Sequence, residues 1–133
     1  VYKTPTCGCC KHWVTHLEES GFVVETVDRP SLDDVKRRHG IPPELRSCHT
    51  AVDNEGRYAF EGHVPSYLVA RFLDDPPEGA KGLTVPGMPV GSPGMEVGDR
   101  FQPYDVLVIQ GNGKANVFES VSDPEQQYAT PGD

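Results

Sequence analysis

The stretch Val1-Tyr2-Lys3-Thr4-Pro5-Thr6-Cys7-Gly8-Cys9-Cys10-Lys11-His12-Trp13 decides how this chain is read. Residues 1–4 read as a short strand that Pro5 ends. Residues 11–20 read as a helix with Trp13, Val14 and Leu17 on its apolar side. Gly21 stands where a C-capping glycine belongs. Cys7, Cys9 and Cys10 therefore fall in the first strand-to-helix loop, directly ahead of a helix N-terminus. Orphan amides and the helix dipole favour the charged form of a thiol placed there. The cluster suits a redox disulfide or a soft metal.

Working outward, residues 22–27 are rich in β-branched side chains and predict a strand. A second helix follows, with Ser31 as its N-cap and Asp34 at the capping-box position; Gly40 and Pro42-Pro43 stop it. Residues 49–52 and 57–61 read as two strands around Asp53-Asn54-Glu55-Gly56, a strong turn signal. Residues 66–74 read as a helix carrying Tyr67, Leu68, Ala70, Phe72 and Leu73, closed by Pro76-Pro77. The order β-α-β-α-β-β-α is that of a thioredoxin-like α/β layer fold. In a fold of that type the loop before the third strand lies beside the N-terminus of the first helix. Cys48 is therefore expected to approach Cys7 and Cys10.

Residues 79–98 are rich in glycine and proline, show no sustained helix or strand pattern, and hold both methionines, Met88 and Met95. A long loop of this kind in a compact domain predicts function or mobility. Residues 104–110 and 114–119 predict a terminal hairpin around Gly111-Asn112-Gly113. The expected organisation is one thioredoxin-like metal-binding domain over residues 1–121, with a long Gly/Pro-rich loop and an additional C-terminal hairpin. A polar tail over 122–133 completes it.

The 133 residues can bury roughly two thirds of their unfolded surface, so the fold needs no disulfide framework. Four cysteines, mostly clustered, do not make one. With 12 basic against 20 acidic residues the formal charge is −8, which argues against nucleic acid or an anionic membrane as partner. No apolar run approaches the roughly 20 residues that span a bilayer. Val1 opens what reads as mid-strand, so a natural N-terminal segment is expected to precede it; a removed export signal explains that start, as does simple trimming.

Cys7 and Cys10 have the Cys-x-x-Cys spacing of thiol-disulfide oxidoreductases. Cys9 complicates a purely redox reading, because a third thiol offers a competing bridge, whereas a soft-metal site accommodates it. Cu(I), and less selectively Zn(II), favours thiolate, and Cu(I) also accepts thioether sulfur. The metal candidates are Cys7, Cys9, Cys10, Cys48, Met88 and Met95, with His12 and His49 as weaker candidates for direct ligation or support. His12 and His16 share one helix face, His12 being nearer the thiols. Trp13 reads as a core or supporting aromatic, His63 as a cap or loop contact and His39 as an ordinary helix-end residue.

Taken together, Cys7-Gly8-Cys9-Cys10-Lys11-His12-Trp13, Cys48-His49, Glu61-Gly62-His63-Val64-Pro65 and Val85-Pro86-Gly87-Met88-Pro89-Val90-Gly91-Ser92-Pro93-Gly94-Met95-Glu96 resemble the CopG-like family of metal-binding proteins. The resemblance covers most of residues 4–110. It implies a thioredoxin-like fold, a role in bacterial copper handling outside the cytoplasm, and Cys7, Cys9, Cys10 and Cys48 as copper-associated thiols beside the methionine loop. It also implies a multinuclear Cu(I) site, and a copper exporter or other copper-handling protein as partner. The expected function is periplasmic Cu(I) sequestration, transfer or detoxification. The alternatives are thiol-disulfide exchange or copper-coupled oxidoreductase chemistry with Cys7 and Cys10 as the redox pair, and a Zn(II)-closed interaction module.

Overall fold

The computed structural model describes residues 1–128 apart from 6, 54, 87–88, 94, 96–99 and 112–113; of Cys9, Glu44, Pro124 and Tyr128 it describes the backbone alone. The elements are β1 (Tyr2–Lys3), α1 (Gly8–Glu19), β2 (Val27–Asp28), α2 (Asp33–Arg38), β3 (Thr50–Val52), β4 (Ala59–Glu61), α3 (Ser66–Asp74), β5 (Ala80–Thr84), β6 (Tyr104–Gln110) and β7 (Ala115–Val121). Short 3-10 turns follow α2 at Pro43–Leu45 and β7 at Pro124–Tyr128. The strands form one sheet in the order β2-β1-β3-β4-β5-β6-β7. β1 runs parallel to β2, and β4 parallel to β5; the other pairs are antiparallel. The expected β-α-β-α-β-β-α order and the terminal hairpin are present in this mixed α/β fold.

Sheet register separates two apolar layers. Ala51, Phe60, Leu83 and Val108 lie side by side on consecutive strands, and they pack with Trp13, Val14 and Leu17 of α1 and Leu68, Val69 and Phe72 of α3. Phe72 meets Tyr58, Phe60 and Phe118 edge-on at 5.1–6.1 Å, a favoured aromatic geometry. The neighbouring row, Ala59, Gly82 and Ile109, belongs to the opposite layer, where Ala59 and Ile109 meet Ile41 and Leu45.

Several expected boundaries move. α1 starts at Gly8 rather than at residue 11, so Cys9 and Cys10 lie in its first turn and Cys7 is its N-cap. Its end is as expected: Gly21 has φ +96°, and Phe22 N–H reaches Leu17 C=O at 3.2 Å, the six-to-one bond of a Schellman cap. Of the strand expected over 22–27 only Val27 pairs, joined by Asp28 beyond it, because β1 offers just two residues to pair with, and Val23 stands 97% exposed. The N-cap of α2 is Leu32, not Ser31; Ser31 Oγ instead accepts Asp33 N–H at 3.4 Å, and Asp34 pairs with Arg29 at 3.0 Å.

β5 is the main correction. It lies inside the segment expected to be loop and fills the position between β4 and β6. Gly82 is required there by close approach, since a Cβ would sit 1.7 Å from the Ala59 carbonyl oxygen. The expected polar tail also packs back in part. Gln127 is fully buried, accepting from Tyr104 Oη–H and donating to Gly91 C=O, each at 2.6 Å.

Candidate functional site

The α1 N-terminus, the loop before β3 and the segment after β4 converge at one place. Cys7 caps α1 with extended backbone, φ −81° and ψ 94°, and makes no side-chain cap bond. Cys10, one turn in, is fully buried. The two are joined by a disulfide with Cα atoms 5.4 Å apart. Cys48, on the loop leading into β3, is half-buried and outside any disulfide. Its sulfur and those of Cys7 and Cys10 all lie within 4.8 Å of one another. Topology produces this meeting: β3 pairs with β1 through Thr50 and Tyr2, which sets the residues before β3 beside the end of β1 and the start of α1.

A second donor group shares Cys48. Its Sγ lies 3.3 Å from His49 Nδ1 and 3.2 Å from His63 Nε2, and the three donor atoms are mutually within 4.8 Å. His63 Nδ1 is 2.5 Å from the Pro93 carbonyl oxygen. A carbonyl only accepts, so Nδ1 carries a hydrogen, and in the neutral imidazole Nε2 is then the acceptor nitrogen facing Cys48. His49 is fully buried, with its ring centroid 4.4 Å from that of Trp13. Burial first, then the nearby His63 and Lys36, hold its pKa well below the usual imidazole range, so His49 is neutral. Its Nε2 has no hydrogen-bond partner among the described residues. Trp13 also donates Nε1–H to Val64 C=O at 2.8 Å, fastening the residue after His63 to α1.

Beneath the Cys48 loop lies a buried ion pair, Lys36 with Glu61. Glu61 also accepts Ser47 N–H at 2.7 Å and Thr50 Oγ1–H at 2.6 Å. Lys36 donates to Ser47 C=O at 3.1 Å and Thr50 Oγ1 at 3.2 Å. Both peptide groups of Ser47 are thus held, and Cys48 follows from a fixed point.

The fold brings Cys7, Cys10, Cys48 and His49 together among the expected site residues. The side chain of Cys9 and all of Met88 lie outside the described residues. Met95 is half-buried, and its backbone closes a turn with Gly91 and Ser92 at 2.9 and 2.7 Å; this loop reaches the site through Pro93. His12 is exposed and belongs to neither donor group. Its helix partner His16 is buried, accepting Ser66 N–H at 3.0 Å on Nε2, so it satisfies an orphan amide at the start of α3.

His63 makes the loop contact expected of it, through the Pro93 carbonyl, and in addition joins the Cys48 donor group, which the sequence reading did not foresee. The expected hairpin ran its second strand from Arg57 to Glu61. In the structure Asp53 Oδ1 accepts Arg57 N–H at 2.7 Å and Tyr58 N–H at 3.0 Å, keeping both in the connection. Thr50 then pairs with Glu61, and that register, continued by two residues, sets Cys48 across from His63.

The fold and site define an α/β protein with a thiol–imidazole cluster between a helix N-terminus and a hairpin. A family model described as "Protein of unknown function, DUF411" matches residues 45–95, the segment carrying Cys48, His49 and His63. Two solved structures are similar over nearly the whole chain. "Copper resistance protein copG- Form 1" is 39% identical, with 92% of this chain and 94% of that chain covered and a TM-score of 0.84. "Copper resistance protein copG- Form 2" is 40% identical, with 91% and 94% covered and a TM-score of 0.84. The chain belongs to the CopG family. A comparison with the curated proteins found no match. Among the described residues no helix is long and apolar enough to cross a membrane.

Proposed function

We propose that this protein binds copper as Cu(I) through Cys7, Cys10 and Cys48 once the Cys7–Cys10 bridge is reduced. The observation that carries this reading is the meeting of three sulfurs from two separate parts of the chain within 4.8 Å. Thiolate is the donor that soft Cu(I) prefers. The two structures similar to this chain are named copper resistance proteins, which supports copper over Zn(II) as the cargo. His63 Nε2 and His49 Nδ1 face the shared Cys48 sulfur, and the Pro93 carbonyl fixes the His63 ring as an outer partner fixes a ligating imidazole.

The reading extends to a site holding more than one copper, because Cys48 is common to both donor groups and a thiolate can bridge. Cys9, Met88 and Met95 are the further sulfur donors in this proposal. The biological role is sequestration, transfer or detoxification outside the cytoplasm, with a copper exporter or another copper-handling protein as recipient. Copper K-edge absorption of the reduced, loaded protein tests the ligand set. A sulfur-dominated shell is expected, losing sulfur in Cys10→Ser and in Cys48→Ser. An unchanged shell in both variants would overturn the assignment. The Cys7–Cys10 bridge favours a second reading, thiol-disulfide exchange, with Cys7 as the accessible sulfur and Cys10 as the buried resolving one.

A further inference from the structure

We infer that the oxidised protein performs an internal thiol–disulfide exchange, in which Cys48 displaces Cys7 from its bridge with Cys10 and moves the free thiolate to the N-cap of α1. The inference needs no metal and stands apart from the copper reading. Three observations carry it. Cys48 Sγ lies within 4.8 Å of both bridged sulfurs. A proton acceptor, His63 Nε2, sits 3.2 Å from that sulfur, its tautomer set by Pro93 C=O. The departing sulfur belongs to the N-cap of a twelve-residue helix.

Burial sets the direction of attack. Cys10 is fully buried while Cys7 is half-buried, so a solvent thiol meets the bridge at Cys7, whereas Cys48 is a protein thiol within 4.8 Å of the buried Cys10 sulfur. The leaving group favours the same direction, because the orphan amides and dipole of α1 stabilise a Cys7 thiolate. A sulfur of lower basicity leaves faster in such exchanges. In the step, the Cys48 S–H proton passes to His63 Nε2 and Cys48 Sγ bonds to Cys10 Sγ. The Cys7–Cys10 S–S bond breaks with its electron pair departing on Cys7 Sγ. One disulfide is consumed and one is formed, so no outside oxidant or reductant takes part. The chain thereby turns a closed bridge into an accessible nucleophile.

The test uses oxidised, metal-free protein carrying Cys9→Ser, which leaves one free thiol per chain. Limiting iodoacetamide is added to the folded protein, the reaction is quenched in acid at intervals, and disulfide-linked peptides are mapped without reduction. The label is expected to divide between Cys48 and Cys7, with every Cys7-labelled chain carrying a Cys10–Cys48 bridge. Adding His63→Gln should slow Cys7 labelling by about ten-fold or more, and adding Cys48→Ser should abolish it. Label confined to Cys48, with the Cys7–Cys10 bridge intact throughout, would overturn the exchange. Should Cys9→Ser fail to fold, the same mapping on the wild-type chain decides the matter, since absence of any Cys10–Cys48 peptide is equally contrary.

Discussion

His49 and His63 flank the same sulfur, yet only one of them was legible. His49 adjoins Cys48 in sequence, whereas His63 reaches it through a hairpin register that depends on Asp53 holding the amides of Arg57 and Tyr58. A side chain accepting two amide bonds in a turn alters the rung count by two, and nothing in strand propensity announces that. The buried neutral state of His49 has a consequence for stability. Its pKa in the folded protein lies below the ordinary value of 6.5, so across the interval between the two values unfolding takes up a proton. Stability is then full above that ordinary value and falls on acidification through the interval, by at most about 1.4 kcal/mol per pH unit for one proton. His39, also shifted down by partial burial, acts in the same sense. Thermal unfolding between pH 7 and 5 should therefore show a declining midpoint, with a shallower decline in His49→Gln. Equal slopes in the two proteins would contradict a neutral buried His49.

Among the elements, α3 and β6 were legible to the residue because Pro and Gly punctuate them and their patterns are unbroken. β5 was not, because Gly82 interrupts it and Gly79 stands just before it. The reason for Gly82 lies in another strand, where the Ala59 backbone passes too close for any side chain. A sequence shows the glycine as a breaker, and only the sheet shows it as a fit. Gly82→Ala should destabilise the fold by about 3 kcal/mol or more, as a clash that must displace backbone. Urea unfolding measures it, and a loss within about 0.5 kcal/mol, the range of a neutral surface change, would contradict the packing described. The early start of α1 belongs to this scale too: Gly8 and three thiols do not read as helix, yet they complete its first turn and place Cys7 at its cap.

At the scale of the whole molecule, the approach of Cys48 to the first-helix thiols was legible, since the β-α-β-α-β-β-α order dictates it. The charge pair supporting that approach was not, because a lysine on a helix and a glutamate on a strand are seldom buried and carry no sign of it in sequence. They are buried, and together they hold α2, β3, β4 and Ser47 in one network. Removing one partner leaves an uncompensated buried charge, so Lys36→Met should cost about 3–5 kcal/mol in urea unfolding. Adding Glu61→Gln should restore part of that loss, by removing the charge while keeping an acceptor for Ser47. A double variant as unstable as the sum of the two single changes would contradict the pairing.

The claim that rests on all three scales is that residues far apart in sequence form one copper site. The measurement that tests it most directly is an anaerobic Cu(I) titration of fully reduced protein against a competing chelator, counting bound copper at the endpoint. The account predicts tight binding, weakened by more than about 100-fold in Cys10→Ser and in Cys48→Ser, beyond the loss usual for an outer-sphere change; His39→Ala should leave it unaltered. Unchanged affinity in both cysteine variants would contradict it.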